Sequence, residues 1–113
     1  MERLSGRDDS AGIYLIVIDG ARYVGKALNL GRRRHGHLAA LNTGRGAPLL
    51  QAAYDEHEDD CSFYVLERCP AWDRVYVGDD ALVDDLTAGW LHERERHWCR
   101  ELRPELNQQV PAP

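Results

Sequence analysis

Apolar residues along this chain switch repeatedly between strand-like and helix-like spacing. Ile13 to Ile18 is a short run of β-branched, aliphatic and aromatic residues, followed by Asp19-Gly20 and then Ala21 to Val24. Asp-Gly between two such runs predicts a β-hairpin, because both central residues of a type I′ turn need positive φ. Helical spacing begins after Asn29, a good N-cap, and places Leu30, Arg34, Leu38 and Leu41 on one stripe. Residues 42–46 (Asn-Thr-Gly-Arg-Gly) end that helix. Pro48 then opens a second helix running to about Glu56, with Leu49, Leu50 and Ala53 apolar. Ser62 to Glu67 reads as a third strand. Asp79-Asp80 caps a long helix that reaches Leu102 and is stopped by Pro104.

The resulting order, β-β-α-α-β-α, belongs to the α+β class: a small three-stranded, mainly antiparallel sheet flanked by helices. Residues 11–107 form the expected domain, with flexible tails at 1–10 and 108–113. No internal repeat or low-complexity stretch interrupts it.

Composition narrows the picture little, and charge narrows it more. With 113 residues, 43% apolar and 29% charged, the chain is sized and balanced for one globular domain. It has no apolar run of about 18 residues, and its first ten residues are too polar for a secretory leader. Three cysteines (Cys61, Cys69, Cys99) without C-x-x-C spacing argue against a disulfide framework or a zinc site, and for a reducing cytoplasm. The net charge of −5 speaks against nucleic acid until its distribution is examined. Gly20 to Tyr54 contains no Asp or Glu but holds Arg22, Lys26, Arg32, Arg33, Arg34 and Arg45, so that segment is +6 and the remainder −11. One anion-facing surface on an acidic body is the functional reading, with Lys26, Arg32, Arg34 and Arg45 as candidate DNA contacts. A solvated basic helix face is the bland one.

Three groups of residues carry candidate chemistry. Leu91, Glu95, Trp98 and Leu102 share one face of the last helix, so a carboxylate interrupts an apolar stripe. Such a group must be paired with an arginine, hydrogen-bonded or bound to a metal. Glu93 points elsewhere. Arg33 and His37 stack one turn apart at i and i+4, an arrangement suited to meeting one phosphate. Tyr14 and Tyr23 lie on opposite strands of the hairpin, within reach across the ladder; strand tyrosines are also common packing residues.

Together these residues resemble the GIY-YIG nuclease family. Gly12-Ile13-Tyr14 and Tyr23-Val24-Gly25 are similar to its two signature tripeptides, with Val for the central Ile. Arg33 and His37 stand ten and fourteen positions after Tyr23, Glu95 lies in the stretch Glu93-Arg94-Glu95-Arg96-His97-Trp98, and Asn107 follows Pro104. The likeness spans residues 12–107. Residues 23–30 resemble the nuclease domain of the excision-repair incision enzyme; His37 and the stretch around Glu95 look more like phage homing endonuclease catalytic domains. Those relatives carry extra DNA-recognition domains; none is expected within these 113 residues, which are acidic overall.

The resemblance implies a metal-dependent DNA endonuclease that hydrolyses phosphodiester bonds. In that reading Glu95 anchors Mg²⁺ or Mn²⁺, Arg33 holds the scissile phosphate, and Tyr14 or else Tyr23 is the general base, aided by the metal, His37 or Lys26. Asn107 orients Glu95 or a water on the metal. DNA is the expected partner, a membrane is not, and a homodimer stays open. The alternatives are an inactive nucleic-acid-binding module of the same fold and an acidic protein-interaction module.

Overall fold

The computed structural model describes residues 1–70 and 78–107. Its elements are β1 (Glu2–Arg3), β2 (Gly12–Ile18), β3 (Ala21–Ala27), α1 (Leu30–Asn42), α2 (Pro48–Glu56), β4 (Cys61–Arg68) and α3 (Asp80–Leu102), with a 3₁₀ turn at Glu58–Asp60 before β4. The hairpin forms where expected. Asp19 (φ 49°) and Gly20 (φ 80°) both take positive φ, and Ile18 pairs with Ala21 across the two-residue loop.

The helix ends follow local chemistry. The Asn29 side chain accepts a hydrogen bond from the Arg32 amide at 2.9 Å, and Asp79 does the same for the Leu82 amide at 3.2 Å. Pro48 occupies the first turn of α2. At the far end of α3, Arg103 turns into the left-handed region (φ 45°) and Pro104 follows.

The sheet runs β1-β4-β2-β3, with every neighbouring pair antiparallel. Its centre, β2, is covered on both faces, which explains an unbroken apolar run where one-sided burial would give alternation. Tyr14, Ile16 and Ile18 pack with Leu30 and Leu41 of α1 and Leu50 of α2. Ile13 and Leu15 face the other way, toward Leu91 and Cys99 of α3. Each of the fully buried leucines 30, 41 and 50 contributes about 2 kcal/mol of apolar burial.

Two features differ from the expected pattern. The sheet has four strands rather than three, because Glu2 and Arg3 pair with Val65 and Tyr64. Leu4 is buried behind them, Arg68 ion-pairs with Glu2 and Asp8, and the Gly31 amide donates to the Asp8 carbonyl at 2.8 Å. The 1–10 segment thus lies along β4 and the start of α1, held by long-range contacts that a two-residue strand does not announce in sequence. The 108–113 tail lies outside the described residues. The second difference is a register shift between Ile13 and Tyr14 against β4, where Ile13 pairs with Glu67 but Tyr14 with Val65. The extra residue, Leu66, breaks the strict alternation of β4.

No helix among the described residues is long and apolar enough to cross a membrane.

Candidate active site

Tyr14 sits on the central strand with its ring fully buried on the α1 side. Its ring crosses Gly25, its partner on β3. A Cβ at position 25 would collide with the Tyr14 hydroxyl, so only glycine lets the phenol reach past the strand. Tyr23, two residues before Gly25, lies diagonally across the ladder on the same face, with ring centroids 6.4 Å apart.

α1 brings Arg33 and His37 onto this phenol from above. His37 Nε2 is 2.6 Å from the Tyr14 hydroxyl, and Arg33 Nε donates to the same oxygen at 3.3 Å. The imidazole also stands edge-on to Tyr23, at 5.6 Å between centroids. Burial, reinforced by the Arg33 charge, lowers the His37 pKa to about 4, so the imidazole is neutral near pH 7. Burial, then the neighbouring Tyr23, raises the Tyr14 pKa against the opposing pull of Arg33. Burial likewise raises Tyr23, again against Arg33. These directions order the network: Arg33 donates to the Tyr14 oxygen, and the Tyr14 hydroxyl donates to a neutral His37 Nε2.

Glu95 approaches from α3. The side chain is half-buried, and its charge adds to the upward shifts of both phenols. Burial first and Glu95 second push the Cys99 thiol up to about 11. Among the described residues Glu95 makes no hydrogen bond and no ion pair; the arginine partner that would make it purely structural is absent there. Glu93 is exposed and pairs with Arg96 at 4.0 Å.

The arginine beside Glu95 is committed elsewhere. Arg94 Nε donates to Glu67 Oε1 at 2.7 Å, and Trp98 Nε1 donates to the same oxygen at 3.1 Å. Residues immediately before and three after Glu95 are therefore pinned to β4 by one carboxylate. Glu67 was not singled out from sequence. Strict alternation puts it with Phe63 and Val65 on the α1 side, and only the extra Leu66 turns it toward α3.

Asn107 departs from its expected place. Its Oδ1 accepts from the Val24 amide at 2.9 Å and its Nδ2 donates to the Val24 carbonyl at 2.8 Å. The Leu106 amide bonds to the Arg22 carbonyl, and Glu105 accepts from the Arg22 amide. Residues 105–107 thus line the free edge of β3. Asn107 reaches the site through the strand that carries Tyr23 rather than by touching Glu95.

The basic candidates divide. Lys26 and Arg32 line a depression of about 430 Å³ together with Arg33. Arg34 instead lies over the Phe63 ring, 5.7 Å from its centroid, with Nε buried and unpartnered. Arg45 is exposed on the loop beyond α1, its amide turned back onto the Ala40 carbonyl at 2.8 Å, at the opposite end of the helix from Arg33.

The described residues contain no cluster of three His, Cys, Asp or Glu side chains suited to a metal. A half-buried carboxylate without a hydrogen-bond or ion-pair partner among the described residues, its charge reaching Tyr14 and Tyr23, does fit a hard cation held by one protein oxygen and completed by water.

A four-stranded antiparallel sheet between a helix pair and a long helix is the fold of the GIY-YIG catalytic domain. Two solved structures have this fold. The catalytic domain of intron endonuclease I-TevI, as a mutant, aligns with a TM-score of 0.68 and 24% identity, covering 91% of this chain and 97% of that domain. A second structure, of the catalytic domain of the homing endonuclease I-TevI, aligns at 0.65 and 24% identity, covering 91% and 99%. No family model and no curated protein matches the chain.

Proposed function

We propose that this protein is a divalent-metal-dependent endonuclease that hydrolyses phosphodiester bonds in DNA. The observation that carries the reading is the half-buried Glu95, unpartnered among the described residues, whose charge reaches Tyr14 and Tyr23 beside the Arg33–Tyr14–His37 network. A binding module needs the cations but has no use for such a carboxylate.

Arg33 binds the scissile phosphate through its two Nη groups, since its Nε is held by Tyr14. Tyr14 is the general base: as the attacking water forms the new P–O bond, its proton passes to the Tyr14 oxygen, and the Tyr14 proton passes to His37 Nε2. The bond to the 3′-oxygen breaks, and solvent protonates that oxygen. A phenol with a raised pKa becomes a workable base only through this hand-off, because neutral His37 takes the proton in the same step. Tyr23 is the alternative base. Glu95 would hold Mg²⁺ or Mn²⁺, which when bound supplies positive charge against the phosphate and the leaving oxygen. Glu67 acts as a positioning residue, keeping the Glu95 turn of α3 on the sheet. Three free cysteines, Cys61, Cys69 and Cys99, support a reducing cytoplasm as the setting.

Incubating the purified chain with supercoiled plasmid tests the reading. Conversion to nicked or linear DNA with Mg²⁺, stopped by EDTA, is expected. DNA retained without any cut would favour the inactive binding module, and no interaction with DNA at all would favour a protein-interaction role.

A further inference from the structure

Leu28 is 72% exposed at the junction between β3 and the Asn29 cap of α1. Its neighbours fix it in place, because Ala27 belongs to the β2–β3 ladder and Asn29 caps the helix. A lone exposed leucine is ordinary on a protein surface. This one, however, stands where several depressions meet, the largest of them (about 720 Å³) carrying Asp9 and Asp84 on the side away from Arg33; two of the others matter here. On one side lies the cationic groove of Lys26, Arg32 and Arg33. On the other lies a depression of about 300 Å³ lined by Lys26, Ala27, Leu28, Ala88 and Leu91. Apart from Lys26 that second hollow is apolar.

Both hollows abut the active site. Arg33 lines the first, and Leu91, one helical turn before Glu95, lines the second. A phosphate held by Arg33 in the first hollow leaves its neighbouring nucleotide beside Leu28, which lines the same hollow. The next phosphate meets Lys26 or Arg32, while the sugar and base meet an apolar wall. In a stacked duplex the base faces are not available to such a wall; in an unstacked nucleotide they are.

We propose, resting on the DNA-cleaving assignment, that the preferred substrate carries an unpaired nucleotide next to the scissile phosphate, with its base against Leu28 in the Ala88–Leu91 hollow. The cations of the adjoining groove supply the charge complementarity that commits this hollow to a nucleotide, and among its described lining residues Lys26 is the one polar side chain that could read base identity. Recognition is therefore of an unstacked base rather than of a sequence.

The test measures binding in EDTA, so it does not depend on cleavage. Fluorescence anisotropy compares a matched DNA duplex with the same duplex carrying one unpaired 2-aminopurine. The bulged duplex should bind about tenfold tighter, the scale of burying one leucine side chain. Its 2-aminopurine emission should change on binding. Leu28→Asp should erase both the preference and the emission change, while Leu49→Asp, at another exposed leucine on α2, should keep them. Equal affinity for the two duplexes, or a preference that survives Leu28→Asp, would overturn the proposal and leave the nuclease reading standing. Failure to bind either duplex, in EDTA and again with Ca²⁺ in its place, would overturn both.

Discussion

The two helices that flank the candidate active site deliver charge to it in opposite ways. α1 brings Arg33 and His37 into direct hydrogen bonds with a buried tyrosine, so that each group fixes the next. α3 brings Glu95 by anchoring its neighbours, Arg94 and Trp98, to Glu67, and leaves the Glu95 carboxylate itself unpartnered among the described residues. The first half is organised before any ligand arrives. The second half holds a charge whose compensation has to come from outside the described chain. A purely structural ion-pair network would satisfy both halves internally, and the proposed endonuclease reading rests on that asymmetry.

Breaking the unsatisfied half should have the largest effect. Glu95→Gln keeps side-chain shape and removes the charge, so single-turnover cleavage should fall by about a thousandfold or more, with DNA binding retained and the circular dichroism spectrum unchanged. Glu93→Gln, on the exposed face, is the control. Equal losses in the two variants would dissolve the distinction between the faces of α3.

Breaking the organised half should cost somewhat less. Arg33→Ala removes the phosphate's donors and should lower kcat/KM by about 10² to 10³, and Arg33→Lys should recover only part, since an ammonium lacks the planar fork. His37→Ala removes the proton acceptor and should cost about a hundredfold. If His37 is that acceptor, the wild-type rate falls as pH drops through about 4, and the His37→Ala profile loses this limb. An unchanged limb would transfer the role to another group.

His37 also links pH to stability. Its folded pKa of about 4 lies below the ordinary 6.5, so the unfolded chain binds more protons between those values. Stability therefore decreases as pH falls from about 6.5 to 4. Urea midpoints measured across that window should drop in the wild type and drop less in His37→Ala; parallel curves would show that other groups dominate. The smallest effect concerns the β3 edge. Asn107→Ala frees the Val24 amide and carbonyl and should lower stability by about 1–3 kcal/mol, with a loss of activity that tracks the unfolded fraction. A large loss in a fully folded Asn107→Ala would return Asn107 to the reaction itself.

What was legible in sequence was what local chemistry dictates. The Asp19-Gly20 turn, the Asn29 and Asp79 caps and Pro48 each act within a few residues, and each stands where it was expected. Spacing alone put Arg33 and His37 one turn apart and Tyr14 and Tyr23 within reach across the hairpin ladder. The misses are all long-range. β1 exists because Glu2 and Arg3 meet β4 about sixty residues away. A helical wheel gave the angle of Arg34 but not the Phe63 ring beneath it. Glu67 depends on the extra residue in β4, and the role of Asn107 depends on a backbone that its own segment reaches only after the chain has folded.

The central assignment, Glu95 as the metal-holding carboxylate, is tested most directly by Mn²⁺ titration of the ¹⁵N-labelled protein, following amide line broadening. Glu95 at the ion gives broadening centred on the Glu95 turn of α3 and on Tyr23 to Gly25 of β3, and Glu95→Gln abolishes it there while leaving any broadening around the acidic Glu58–Asp60 turn. Broadening confined to that acidic turn, or broadening near residue 95 that persists in Glu95→Gln, would contradict it.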